Sequence, residues 1–370
     1  MSTIKVDTVK NRSSAINLPN NFKIGGLSII QGYTSSGSEP GSPSTGDFWW
    51  DSSNDKLYRY IDGGFKELSI TLPVTFTWGG DRGVFAGGYS GGFKNEIDYV
   101  NITSAGNATD FGNLTDARNG VAGTASTTRS VFALGWNGSV YSNVLDYITT
   151  ASTGNATDFG DYSIAISGAG RGVTSNGTTG LFQGGHGSAR ENAIHKITIA
   201  TPGNSTDFGD LTVARMIGGA AGDATRGLLS SGSGSANTNV IDYTTIATPG
   251  NATDFGDGTI VRTELSGASD ATRSLFLGGH GDGSASERVT IDYVTTQSAG
   301  NATDFGDLTG QRFDGGSNSN GTKALNVGYH DGSTSNVIDQ VTIQTAGNAT
   351  DFGDLTVARF GLGATSGTAA

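Results

Sequence analysis

Six positions in this 370-residue chain follow a Gly-Gly pair or its equivalent, and they hold Tyr89, Trp136, His186, Ser233, His280 and Tyr329. Five of these six are aromatic or imidazole rings. Ring faces stack on the CH faces of sugars, and a polar tip adds a hydrogen bond. The nearby residues Asn95, Asn137, Asn143, Arg190, Asn192 and Asp282 would supply bonds to hydroxyls. The competing expectation is that the rings cap the core or pack on a neighbouring repeat.

A second recurring set is basic: Arg118, Arg215, Arg262, Arg312 and Arg359, with Ile166 in the sixth place. A ring of arginines would hold a carboxylate or sulfate through bidentate bonds. Each arginine also follows an Asp or Asn by five residues. Arg–carboxylate or Arg–carbonyl bonds stitching one repeat to another therefore fit the same residues with no ligand.

Other patterns carry less chemistry. The Asn-x-Thr strings match glycosylation sequons, but they read equally as turns in which Asn tolerates left-handed geometry. Asn-x-Thr-Asp-x-x-Asp has some likeness to a calcium loop without its dense acidic pattern, so whether calcium binds is left open and no cofactor is expected. Asp-Phe-Gly occurs without the Gly-rich loop and catalytic Asp motif of a kinase. The four histidines lack metal-type spacing, and zero cysteines exclude disulfides, thiolate catalysis and Cys-ligated metal. His195 stands where other copies carry Asp98, Asp146, Asp242, Asp292 and Asp339. One such departure does not gather an acid, a base and a nucleophile, so no enzyme is expected.

The elements that position these residues come from a repeat. Gly-Asn-Ala-Thr-Asp-Phe-Gly-Asp recurs with small variations from Gly106, Gly154, Gly203, Gly250, Gly300 and Gly347, at spacings of 48, 49, 47, 50 and 47. That period suits propeller blades and not leucine-rich or ankyrin units. Within one copy, Ser274–Leu277 is a short apolar run closed by Gly278-Gly279. Val289, Ile291 and Tyr293 alternate, and Thr303–Leu308 is a short outer strand. The segment around Gln311-Arg312, running to Gly315-Gly316, reads as the innermost strand of the next blade. With 60 glycines a helical reading would cost about 1 kcal/mol at each one in a helix interior. Disorder is excluded because the apolar positions recur in register.

The expected fold is all-β, a six-bladed propeller of four-stranded blades over residues 80–370. The first copy begins at Asp81 without an inner strand, and the C-terminal Leu355–Gly363 strand is expected to close that blade, hiding sheet edges. Residues 1–45 read as an arm and linker, with Thr34 to Gly46 flexible by composition. Residues 46–79 read as a small aromatic β-hairpin module with turns at Ser52–Asp55 and Asp62–Gly64. Met1–Lys10 alternates and would add as a strand to a neighbouring chain. The net charge of −12 argues against nucleic acid as a partner. The N-terminus lacks a secretory apolar run, and no stretch approaches a membrane span. A soluble chain without a signal peptide is expected, released for instance by cell lysis.

Two resemblances add to this. The order Arg215, then Gly278-Gly279, Asp292-Tyr293 and Phe305 in successive strands resembles the kelch repeat, with Phe111, Phe159, Phe208, Phe255, Phe305 and Phe352 where kelch usually has Trp. Gly46-Asp-Phe-Trp-Trp-Asp51 with Lys56-Leu-Tyr58 and Gly64-Phe65 resembles a small module of tail-fibre and appendage proteins of tailed bacteriophages. Thr3-Ile-Lys-Val-Asp-Thr8 is similar to N-termini of virion proteins of marine phages and cyanophages. These resemblances imply a virion exterior protein, a tail fibre or appendage, present in multiple copies. It would dock on other virion proteins through residues 1–45 and project the propeller toward a host surface glycan or receptor. A purely structural capsid-decoration, neck or tail component is one alternative, and a glycan-degrading enzyme is another.

Overall fold

Ala122–Ala125, Gly219–Gly222, Ser266–Ser269, Gly316–Ser319 and Gly363–Gly367 contain only Gly, Ala, Ser, Thr and Asn, and they are buried throughout. The reason is geometric. These are innermost strands converging on one axis, where only small side chains fit. A Cβ on Gly267 would lie 2.2 Å from the Ala220 carbonyl oxygen of the neighbouring strand. The structure is a computed structural model that describes residues 23–24, 27–28, 33–51, 53, 56–67, 79–281, 288–328 and 333–369. The chain divides into two units, Met1–Val74 and Thr75–Ala370.

The larger unit is a six-bladed β-propeller of antiparallel blades. From axis to rim, blade 1 is Gly363–Gly367, Arg82–Tyr89, Phe93–Asn101 and Thr109–Asn113. Blade 2 is Ala122–Ala125, Arg129–Ala133, Val144–Thr149 and Thr157–Asp161. Blade 3 has Thr179–His186, Arg190–Thr198 and Thr206–Asp210, with an interrupted segment in the innermost place. Blade 4 is Gly219–Gly222, Arg226–Ser233, Asn237–Thr245 and Thr253–Asp257. Blade 5 is Ser266–Ser269, Arg273–Leu277, Arg288–Thr295 and Thr303–Arg312. Blade 6 is Gly316–Ser319, Lys323–Val327, Val337–Thr342 and Thr350–Asp354.

The C-terminus does close blade 1, but later in the chain than expected. Gly363 pairs with Ala86 and Gly367 with Arg82, so the closing strand is Gly363–Gly367 rather than Leu355–Gly363. The arginines likewise precede the innermost strands, which begin a few residues after them; Arg312 ends the outer strand of blade 5, and Arg262–Thr263 is a short strand paired with His280–Gly281.

Apolar clusters lie between successive blades. Ile97 and Phe111 of blade 1, for example, pack with Val121, Phe132 and Ile148 on the blade 2 side. Each fully buried side chain of this size contributes roughly 2 kcal/mol.

The repeated motif forms the rim. In each copy the Gly amide donates to the Phe carbonyl of the preceding blade, as Gly154 does to Phe111 at 2.7 Å. The Asn side chain accepts from the backbone N–H two residues after that Phe, in all six blades, at 2.9–3.1 Å. Asn therefore joins blades rather than shaping its own turn. The Gly of Asp-Phe-Gly has φ of +138° to +150° in every copy. A Cβ there would meet the next turn's Gly carbonyl oxygen at 2.2–2.7 Å.

In the smaller unit, Tyr33–Ser36 pairs in parallel with Phe48–Asp51, followed by antiparallel Lys56–Ile61 and Gly64–Glu67. Thr34–Ser36 is thus a strand and not linker, because the Trp49 indole N–H reaches back to the Ser36 carbonyl at 3.2 Å. Asp62 and Gly63 both have positive φ, the two-residue turn that matches strand twist. Trp49 stacks on Tyr58 at 4.8 Å. The Met1–Lys10 strand and the docking arm up to residue 22 lie outside the described residues, as does most of the Ser52–Asp55 turn.

Candidate functional site

One face of the propeller carries the connectors from each outer strand to the next innermost strand, together with the loops joining second and third strands. Both residue sets singled out by the sequence lie on this side. They sit at different depths.

The arginines are inside. Arg118, Arg215, Arg262 and Arg359 are fully buried, Arg312 nearly so. Each is ion-paired with an Asp in the third strand of the blade it leads into: Arg118 with Asp146 at 2.7 Å, Arg215 with Asp242 at 3.1 Å, Arg262 with Asp292 at 2.9 Å, Arg359 with Asp98 at 3.1 Å, and Arg312 with Asp339. A connector Thr donates to the same carboxylate in every such blade, as Thr115 does to Asp146 at 2.6 Å. The guanidinium also bonds a second-strand carbonyl, Arg118 Nε to Leu134 at 2.8 Å and Arg215 to Leu229 at 2.9 Å. Burial lowers the Arg215 and Arg359 pKa values, while Asp242 and Asp98 pull them back up. Both guanidinium groups stay charged. An anion reaching these arginines would first have to displace a carboxylate, so the geometry is that of joints holding each connector to its blade.

Blade 3 is the exception. Ile166 replaces the arginine, His195 replaces the aspartate, and Ser163 replaces the threonine, its hydroxyl 3.0 Å from His195 Nδ1. Tyr162 is buried against the His195 ring, with centroids 4.5 Å apart. Burial lowers the His195 pKa, opposed by Asp207, and burial raises that of Tyr162. The joint has been rebuilt without formal charge.

Beside each joint lies a residue of a closed backbone ring. Gly120 N–H donates to Gly361 O, Gly361 to Asp314, Asp314 to Glu264, Glu264 to Ile217, Ile217 to Gly168 and Gly168 to Gly120, at 2.6–3.2 Å. All six residues have φ between +52° and +72°. Ile217 is β-branched, for which this conformation costs on the order of 1–3 kcal/mol. The ring of hydrogen bonds holds it there.

The candidate binding residues surround this ring. Tyr89, Trp136, His186 and Ser233 each bridge to the residue just before a ring position, namely Phe360, Asn119, Ser167 and Met216. His280 pairs with Thr263 in the same way. The structure therefore brings Tyr89, Trp136, His186, Ser233 and His280 to equivalent places around one mouth, all partly exposed or at its surface. Tyr329 and Asp282 lie outside the described residues.

The rings form an arc. Phe360 and Phe93 pack on Tyr89 at 5.7 and 5.2 Å. Phe93 abuts Gly138 of the next loop, where a Cβ would fall 2.5 Å from its ring. Trp136 meets Tyr141 at 4.8 Å, and Tyr141 meets His186 at 5.8 Å. A separate pair, His280 and Phe313, has centroids 5.4 Å apart. Blade 4 carries Met216 and Ser233 in the equivalent places, and exposed Arg190 bonds the Ser233 carbonyl and hydroxyl at 2.9 and 3.0 Å. Among the described residues the exposed large apolar side chains are Val140 and Val213, both in loops of this face.

Sequence reasoning missed Phe93, Tyr141, Phe313 and Phe360. Phe313 and Phe360 directly follow Arg312 and Arg359, which was their available signal. It also missed Arg82, Arg129, Arg226 and Arg273, whose guanidinium groups lie 4.4–4.8 Å over Tyr99, Tyr147, Tyr243 and Tyr293. Each of these also donates to a carbonyl of the following blade. Among the described residues no group of three or more His, Asp and Glu is placed to hold a metal ion. No protein-family model matches the chain, and no curated protein matches it.

Proposed function

We propose that this chain is a bacteriophage virion exterior protein, a tail fibre or appendage, whose propeller binds a host surface glycan across the aromatic arc of its connector face. The observation that carries this is the arc itself: two ring-to-ring triplets, Phe360–Tyr89–Phe93 and Trp136–Tyr141–His186, linked where Phe93 abuts Gly138, run over three blades and stay partly exposed. A run of ring faces suits successive sugar rings, and aromatic anchors dominate binding energy where they occur. Exposed Val140 and Val213 on the same face extend the apolar surface. The likeness of residues 3–8 and 46–65 to phage appendage modules supports the virion setting, with residues 1–45 docking on other virion proteins.

The test is binding of the full chain to host cells and to a glycan array, compared with Trp136→Ala and Tyr141→Ala. The proposal expects binding by the wild type and its loss in both variants with folding intact. Tight attachment to particles with no glycan or cell binding would instead establish the purely structural reading. Release of reducing sugars from host polysaccharide would establish an enzyme.

A further inference from the structure

Blade 3 differs from the others in length as well as in its joint. Eleven residues separate Arg118 from Arg129, Arg215 from Arg226, Arg262 from Arg273 and Arg312 from Lys323, whereas thirteen separate Ile166 from Thr179. The two extra residues fall in the innermost segment. Gly170 N–H donates to Gln183 O, and Leu181 N–H donates to Thr174 O. Arg171, Gly172 and Val173 therefore stand opposite Phe182 alone and loop out of the blade. They loop toward the axis. The Arg171 carbonyl accepts from Ala220 and Gly267, one residue in each of the next two blades, both at 2.8 Å.

The side chain of Arg171 is 3% exposed and forms an ion pair with Asp314, which leads into blade 6. In a ring of six, blades 3 and 6 are opposite. Every joint described above links a blade to itself or to its neighbour, but this contact crosses the axis. Nε and the second terminal nitrogen of Arg171 have no hydrogen-bond partner among the described residues. Glu264, next to Asp314 in the backbone ring, has a pKa raised to about 7 by burial and by the Asp314 charge, and lowered by Arg171.

We propose that Arg171 is a cross-axis latch, holding blade 3 to the opposite side of the propeller through its ion pair with Asp314, beside Glu264, the neighbour of Asp314 in the backbone ring. The looped-out segment supplies to blade 3 the ion pair that its own joint lacks. The guanidinium holds the Asp314 carboxylate, and the Glu264 charge acts on both, so the number of negative charges sets how firmly the latch is held.

The full chain tests this by thermal unfolding from pH 4 to pH 9 in the wild type, Glu264→Gln, Asp314→Asn and Arg171→Gln. A carboxyl whose folded pKa lies above its unfolded value binds more protons in the folded state. Its contribution is complete below the unfolded pKa and is lost as pH rises to about 7. The wild type should therefore lose stability relative to Glu264→Gln over that window. Asp314→Asn removes the like charge and frees Arg171 for Glu264, so the step should move to lower pH by about one unit or more. Arg171→Gln should move it to higher pH. Opposite shifts support the latch. An identical pH profile in the wild type and Glu264→Gln, or shifts in one direction for Asp314→Asn and Arg171→Gln, would overturn it. Should Arg171→Gln not fold, Glu264→Gln and Asp314→Asn decide between these outcomes.

Discussion

The rim and the mouth of this propeller are built from the same repeat and follow opposite rules. At the rim, Gly, Asn, Phe and the second Gly of the motif each make the same contact in all six copies. At the mouth, the equivalent position is Tyr, Trp, His, Ser or His, and the neighbouring residue is Phe, Asn, Ser, Met or Thr. Residues that join blades are constrained by the blade beside them. Residues that face solvent around the axis are free to differ, and the proposed glycan contact falls among them. Blade 3 sharpens this contrast. Its joint changes at Tyr162, Ser163, Ile166 and His195 together, as expected if the joint works as a unit. Removing one partner of a buried ion pair strands a charge, whereas replacing both with packed neutral groups is often tolerated.

Breaking a charged joint is the severest way to test the comparison. Asp242→Ala leaves Arg215 buried without its carboxylate and should cost about 3–5 kcal/mol in denaturant unfolding. The fourfold change Leu211→Tyr, Thr212→Ser, Arg215→Ile and Asp242→His copies the blade 3 joint and should cost markedly less. If the fourfold variant is as unstable as the single one, the joint is not a unit. At the rim, Gly256→Ala places a methyl against the Gly300 carbonyl at a φ of +144° and should cost roughly 2–3 kcal/mol. Gly250→Ala meets open space in the same copy of the motif, and its unfolding midpoint should hardly move. At the mouth the pattern reverses: Trp136→Ala should leave unfolding nearly unchanged and weaken glycan binding by about 2 kcal/mol, roughly thirtyfold by titration. A modest effect is expected at Arg226, partly exposed over Tyr243, where Arg226→Ala should cost about 0.5–1 kcal/mol.

Much of this framework was legible in the sequence because the motif recurs intact. The period gave the blade count, and the missing first inner strand implied closure from the C-terminus. The innermost strands were misplaced for a physical reason. Segments such as Ala122–Ala125 and Gly316–Ser319 lack β-branched and aromatic residues, because the axis admits only small side chains, so they carry little strand signal. The arginines were read into the innermost strands and lie ahead of them instead. The backbone ring was hidden because half of its left-handed positions are Ile217, Glu264 and Asp314 rather than glycine. Arg171 was visible as a two-residue excess in spacing, yet only the closed ring shows that the excess crosses the axis. In the smaller unit, Thr34–Ser36 read as linker from its Ser and Thr content, and the strand Tyr33–Ser36 depends on pairing with Phe48–Asp51.

The division between joining rim and binding mouth is tested most directly by mapping a bound oligosaccharide on the full chain by NMR. An oligosaccharide selected on the array should perturb Tyr89, Phe93, Trp136, Tyr141 and His186, and leave Ser233 and the six Asn-x-Thr-Asp turns unchanged. Perturbation centred on those turns, or on Ser233 and not on the arc, would contradict the account.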